Sequence, residues 1–179
     1  MRKTKGFTLI ELLVVIAIIG LLSTLAVVAL NSAREKARDA KRVADVKQVQ
    51  TALELYYNDA EGYPPVANVV TLGANGADCG GADCLVLCHG TTDDGTDGIV
   101  SQSSDCDDGA NIYMGLLPAA PVPPGENSYE YESLGDGAAC GSSGELSCPT
   151  YELTFTLEKP TGSYTGTACV ATPDGITCS

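Results

Sequence analysis

The apolar run from Phe7 to Leu30 limits what this chain can fold into. A single carboxylate, Glu11, and the small or polar residues Thr8, Gly20, Ser23 and Thr24 are its only interruptions. As a helix the run spans about 36 Å at ~1.5 Å per residue, enough to cross a bilayer core of roughly 30 Å. A cleavable secretory signal fits poorly. Its apolar core is usually ~7–15 residues and is followed by a small-x-small cleavage site, which does not appear here. A plain anchor leaves Glu11 unexplained, because an ionisable group near mid-membrane costs roughly 2.5–3.5 kcal/mol and normally has a partner.

Beyond that run the chain is two materials joined end to end. Of 10 basic residues in the 179-residue sequence, all but Lys159 precede residue 48, and the 8 cysteines all lie between Cys79 and Cys178. The formal net charge is −13, with 23 acidic residues. A nucleic-acid surface is not expected, since phosphate contacts need clustered Lys and Arg. The cysteine density points to disulfides formed in an oxidising compartment. The boundary between the two materials falls near Asp59–Pro65.

From Asn31 to Asn58 there is no Pro or Gly, and Ala, Arg, Lys, Glu and Leu are frequent, so the helix is expected to continue. Val46, Val49, Leu53, Tyr56 and Tyr57 form a bulky stripe suited to carrying a globular head. Ala33, Ala37, Ala40, Ala44 and Leu55 form a second stripe, mostly of small residues, suited to close approach by other subunits. A helix from Phe7 to Asn58 would run about 78 Å at ~1.5 Å per residue. No small domain covers that length, so part of it must pack in lipid and then in an assembly. Arg34, Lys36, Arg38, Lys41, Arg42 and Lys47 are interleaved with Glu35, Asp39 and Asp45, which reads as a salt-bridged helix surface.

Glu61-Gly62-Tyr63-Pro64-Pro65 ends the helix, with Gly62 expected as the left-handed cap. Residues 63–124 read as loop. Alternation in Tyr129–Glu132 and Tyr151–Glu158 predicts half-buried antiparallel strands. Thr165–Ala171 and Ile176–Cys178 flank Thr172-Pro173-Asp174-Gly175, a hairpin turn signal. With Pro173 and Asp174 at the turn centre, Cys169 falls opposite Cys178 at a separation a disulfide accepts. A local Cys140–Cys148 bridge is also expected, and Cys79, Cys84, Cys88 and Cys106 would pair among themselves. The predicted fold class is α+β, a long N-terminal helix packed on a three- or four-stranded antiparallel sheet, stapled by disulfides.

No catalytic set emerges, and the chain is not expected to be an enzyme. His89 beside Cys88 is the only thiol–imidazole neighbour pair, and sequence adjacency rarely supplies that geometry. Cys79, Cys84, Cys88 and His89 have the chemistry of a zinc set, with disulfides favoured in an oxidising compartment. No cofactor is required. Asp93, Asp97, Asp105 and Asp107 are candidate Ca²⁺ ligands on acidic turns, although the twelfth position of an EF-hand-like loop is Ser104 rather than Glu.

The segment Lys5-Gly6-Phe7-Thr8-Leu9-Ile10-Glu11-Leu12-Leu13-Val14-Val15 closely resembles the processing site of type IV pilins and type II secretion pseudopilins. The resemblance implies cleavage between Gly6 and Phe7 by a prepilin peptidase at the cytoplasmic face, then N-methylation of Phe7. It further implies a pilin-like fold and partners in other copies of the chain, other pilins and an inner-membrane assembly machinery. Glu11 would remain in the mature chain and align it in the filament. Physically, cleavage exposes an α-amino group on Phe7, and the Glu11 carboxylate of a neighbour is its natural counter-ion in an apolar bundle.

Many members of that superfamily carry a Pro within the apolar helix. Here none occurs, and Gly20 alone weakens the helix. Secretion-branch members often bind Ca²⁺ in a loop near the sheet. The expected divisions are a cleaved leader 1–6, a transmembrane and filament-core helix 7–30, an amphipathic helix 31–58 and a head 59–179 with a loop insertion 66–124. Arg2, Lys3 and Lys5 place the N-terminus in the cytoplasm, and the cysteines place the head outside. The elaborate insertion favours a subunit of a type IV pilus-like filament. The alternatives are a type II secretion pseudopilin and, from another class, a membrane-tethered Ca²⁺-dependent binding module.

Overall fold

The computed structural model describes residues 6–73, 79, 82–90, 98–102, 105–106, 109–122, 128–135, 138–140 and 147–179. The chain divides into two compact units, Met1–Ala37 and Arg38–Ser179. One helix, α1 (Leu9–Ala60), supplies residues to both and continues through Gly20.

In the first unit every described side chain from Phe7 to Leu30 is exposed, including Phe7 at 83% and Leu9 at 82%. Among the described residues α1 is the one helix long and apolar enough to cross a membrane. Its internal hydroxyls are already satisfied. Ser23 Oγ donates to the Ile19 carbonyl at 2.7 Å and Thr24 Oγ1 to that of Leu21 at 2.8 Å. Back-bonding of this kind removes most of the cost of a hydroxyl in an apolar setting.

The second unit is built on a six-stranded antiparallel sheet. Its main path is β1 (Val70–Leu72), β5 (Tyr129–Gly135), β7 (Thr150–Thr156), β8 (Ala168–Thr172) and β9 (Gly175–Cys178), with the short β6 (Ala138–Ala139) also on β5. Strands β5 and β7 alternate as their sequences do, burying Tyr129, Tyr131, Tyr151, Leu153 and Phe155. Val46, Val49, Leu53 and Tyr56 of α1 close the core against that inner face. Tyr57, grouped by periodicity with these four, is 41% exposed and packs at a tilt against Tyr63 with ring centroids 4.8 Å apart. The residues Ala33, Ala37, Ala40, Ala44 and Leu55 are all exposed.

The segment expected to be loop carries four strands. Besides β1, it forms a three-stranded sheet from β2 (Val86–His89), β3 (Gly98–Val100) and β4 (Asn111–Met114), in the order β3-β2-β4. The central strand β2 buries Val86, Leu87 and Cys88 in succession. A strand covered on both faces shows no alternation, and four residues are too few to reveal it by composition.

The helix end also differs from expectation. The left-handed residue is Glu61, at φ 56°, and not Gly62. Gly62 is needed for a different reason, since a Cβ there would collide with the Ser147 side chain. The close approach comes from a two-way bridge in which Tyr63 N donates to Cys148 O at 2.8 Å and Cys148 N to Tyr63 O at 3.0 Å. At Gly73 both demands coincide: φ is +80°, and a Cβ would meet the Ala119 backbone at 2.6 Å.

Candidate assembly site

The first helical turn forms a capping box. Thr8 precedes α1 and Glu11 is its third residue, the spacing at which two side chains satisfy each other's backbone donors. Glu11 Oε2 accepts from Thr8 N at 2.9 Å and from Thr8 Oγ1 at 2.7 Å, while Glu11 N donates to Thr8 Oγ1 at 3.3 Å. The carboxylate also lies at the positive end of the helix dipole. One oxygen, Oε2, is therefore committed to its own helix start, and Oε1 makes no hydrogen bond to a described residue. A carboxylate held this way leaves one oxygen open to an incoming hydrogen-bond donor. Gly6 and Phe7 are both exposed, as a cleavage junction must be. Residues 1–5, the rest of the expected leader, lie outside the described residues.

In the second unit a buried ionic network ties α1 to the chain after β7. Arg42 Nη1 donates to Asp39 Oδ1 at 2.6 Å and to Glu158 Oε1 at 3.1 Å, and Arg42 Nη2 to the Pro121 carbonyl at 2.9 Å. Asp39 also accepts backbone N–H groups from Glu158 at 2.9 Å and Lys159 at 3.1 Å. Arg38 grips Glu158 with both Nε, at 2.5 Å, and Nη2, at 2.7 Å. That grip holds the Glu158 carboxyl below its usual range. One turn on, Tyr129 OH donates to Asp45 Oδ2 at 3.1 Å, and burial followed by the Asp45 charge pushes the phenol well above its ordinary value. Read from sequence, these charges form an outer helix face. In fact Asp39 and Arg42 are fully buried and Asp45 nearly so, because their partners lie far along the chain, at Glu158 for the first two and at Tyr129 for Asp45.

Four disulfides join all eight cysteines: Cys79–Cys84, Cys88–Cys106, Cys140–Cys148 and Cys169–Cys178. The last lies across the β8–β9 hairpin, where Cys169 is directly opposite Cys178 and Thr172 opposite Gly175. With Cys88 bonded to Cys106, the Cys88–His89 neighbours offer no thiolate, and His89 instead packs edge-on against Tyr56 at 5.3 Å. The four Cys–His residues of the zinc reading are likewise taken up in bridges or ring packing. Of the candidate Ca²⁺ ligands, Asp93, Asp97 and Asp107 lie outside the described residues. Asp105 is exposed and accepts hydrogen bonds from Ser101 and Gln102, which hold its carboxyl below the ordinary range.

The sequence that forms this helix start has relatives among known proteins. Residues 1–27 match the prokaryotic N-terminal methylation motif. The chain is 30% identical over 136 residues to the type II secretion system core protein G of Vibrio cholerae, covering 76% of this chain and 75% of that protein. The chain belongs to the type IV pilin and pseudopilin superfamily.

Core protein G relatives from Aeromonas hydrophila and Escherichia coli K12 are 43% and 45% identical over 63 and 62 residues. Those stretches cover 35% of this chain and 44% and 43% of the respective relatives, so the chain spans less than half the length of each. No solved structure matches the chain. The named relatives favour the secretion branch of the superfamily over the pilus branch that the elaborate insertion suggested. In this chain the insertion carries the second sheet, β3-β2-β4.

Proposed function

We propose that this chain is a structural pseudopilin, a filament subunit of a type II secretion-like system. It enters the membrane with its N-terminus in the cytoplasm, is cut between Gly6 and Phe7 by a prepilin peptidase, and is methylated on Phe7. It then assembles with other copies and pilin-like partners through α1. The observation that supports this most is the Glu11 carboxylate, half-committed to Thr8 at the start of a wholly exposed apolar helix. In an apolar bundle the new ammonium of a neighbouring Phe7 is the group that completes it, because a buried charge is tolerated only when paired. The named relatives support the secretion role over surface pili.

The test is deletion of the gene followed by return of wild type or Glu11→Leu. Wild type is expected to restore export of proteins to the medium. Glu11→Leu is expected to insert and fold but to form no fibre and restore nothing. Loss of surface pili with export intact would move the chain to the pilus branch.

A further inference from the structure

In the second unit the exposed charges of α1 divide along its length. Lys41 and Lys47 stand toward its start, and Glu54 and Asp59 toward its far end. Over the first two turns, Arg38–Asp45, the acidic groups are withdrawn from the surface. Asp39 is buried on Arg42, Asp45 is covered and accepts from Tyr129, and Glu158 is gripped by Arg38. Lys159, the sole basic residue after Lys47, is brought to these same turns, because its backbone N–H donates to Asp39 at 3.1 Å. Lys41 and Lys159 are both exposed, so the charge this end turns to solvent is positive. Glu130, next to Tyr129, points from the opposite face of the sheet.

The most exposed apolar side chains of the unit sit at the same end. Residues 116–122 run past these turns, tied by Arg42 Nη2 to the Pro121 carbonyl at 2.9 Å and by Leu117 N to the Leu85 carbonyl at 2.6 Å. Leu117 is buried, while Leu116 is 70% and Val122 65% exposed. No other large apolar residue described between Arg38 and Ser179 is exposed as far. Leu116 and Lys41 share the wall of an open cleft of about 400 Å³, with Leu85, Pro118 and Ala119. Apolar side chains beside ammonium groups suit a bilayer interface, where the first enter the acyl boundary and the second meet phosphates.

We infer that Leu116 and Val122, framed by Lys41 and Lys159, dock this end of the head on an anionic bilayer surface before assembly. This rests on the membrane-inserted reading above and adds a contact that the subunit must release when it leaves the bilayer. Chain length supplies the bilayer as the occupant. Leu30 ends the apolar run, and the eight residue steps from it to Arg38 reach roughly 28 Å at most, whatever their path. This end of the second unit therefore stays beside the membrane. Charge selects the orientation, because the rest of the head is strongly acidic and an anionic surface repels it.

The sequence holds no Trp, so Leu116→Trp supplies a single reporter. The full chain is reconstituted in vesicles of phosphatidylethanolamine and phosphatidylglycerol, with or without brominated acyl chains that quench an indole on contact. Quenching of about twofold or more is expected, and it should be lost in phosphatidylcholine vesicles and at about 1 M salt. Leu55→Trp, on α1 about 21 Å beyond Lys41, should stay unquenched. Added to Leu116→Trp, the pair Lys41→Gln/Lys159→Gln should lower the docked-to-free ratio by about thirtyfold, and Lys41→Arg/Lys159→Arg should keep it. Unfolding midpoints monitor these variants, and the salt and lipid arms decide independently of them. Chains that float with the vesicles while Leu116→Trp is quenched no more than Leu55→Trp overturn the docking and leave the membrane reading standing. Quenching that ignores lipid charge and salt overturns it as well. A blue-shifted Leu116→Trp without lipid quenching gives the cleft to another copy and sinks the docking. Chains that do not float with the vesicles overturn both readings.

Discussion

Asp39 and Arg42, three residues apart on α1, form an ion pair of 2.6 Å with neither side chain exposed to water. Removing one partner of such a pair strands the other charge in a medium that cannot solvate it. Asp39→Ala should therefore destabilise the head by about 3–5 kcal/mol. It also orphans the backbone N–H groups of Glu158 and Lys159 that Asp39 accepts. Chemical unfolding of the full chain in detergent measures the loss. A change no larger than that of an exposed Lys47→Ala control would contradict the burial.

The partner across the head, Glu158, predicts an acid limb. Its pKa is lowered from the ordinary 4.5, first by the hydrogen bond from Arg38 and also by Arg42. A folded value below the unfolded one means the carboxylate's contribution is complete above the ordinary value and is lost as pH falls through the depressed one. Urea midpoints of wild type should fall steeply below pH 4.5, the ordinary value, and Glu158→Gln should be less stable at neutral pH with a shallower acid limb. Parallel pH profiles for the two proteins would remove Glu158 from the network.

The helix exit gives a pair of opposite effects. Glu61 holds φ 56°, a region that costs an L-residue about 1–2 kcal/mol and glycine almost nothing, so Glu61→Gly should raise the melting temperature. Gly62→Ala should lower it, since overpacking against Ser147 costs about 1–3 kcal/mol of stability. Equal shifts of the same sign would show that the two positions have been assigned the wrong roles.

Peptide mapping without reductant should recover Cys79–Cys84, Cys88–Cys106, Cys140–Cys148 and Cys169–Cys178 from protein isolated from its own cell. Replacing Cys169 and Cys178 together by Ser should cost about 2–3 kcal/mol on the loop-entropy estimate and fray β9 first. Cys178 joined to any other residue would refute the β8–β9 register.

Processing is read by intact mass. The mature chain is expected to begin at Phe7, and its formal charge falls from −13 to −16 with the loss of Arg2, Lys3 and Lys5. Assembled material still starting at Met1 would exclude cleavage. Gly6→Ala should process more slowly, because the added Cβ intrudes where a peptidase must reach the backbone.

How much was legible in advance follows from the range of the interactions. The length of the apolar run and the Pro- and Gly-free stretch after it reveal α1, and alternation reveals β5 and β7, each seven residues long with one wet face. Pro173-Asp174 between paired runs is enough to place Thr172 opposite Gly175. Strands β1, β2 and β3 are too short for a period to register, and β2 is buried without alternation. Arg42 and Asp39 carry no sequence mark of burial, because what covers them, Glu158 and the Pro121 carbonyl, is brought in from far along the chain. Glu61 was missed for a simpler reason: a glycine beside it drew the left-handed assignment, although it is Ser147 that demands the glycine.

The four bridges have sequence separations of 5, 18, 8 and 9 residues, and each closes within the head without reaching α1. Short loops close quickly and at small entropic cost. On the proposed topology, with the head emerging on an oxidising side, each cysteine other than Cys88 and Cys106 finds its partner within ten residues, before the next pair has appeared. Cys88 must wait longest, for Cys106, with Cys79 and Cys84 already occupied by each other. Oxidation can thus follow the order of translocation with few wrong partners on offer. A chain built this way depends less on an isomerase to correct mispairing than its eight thiols would suggest.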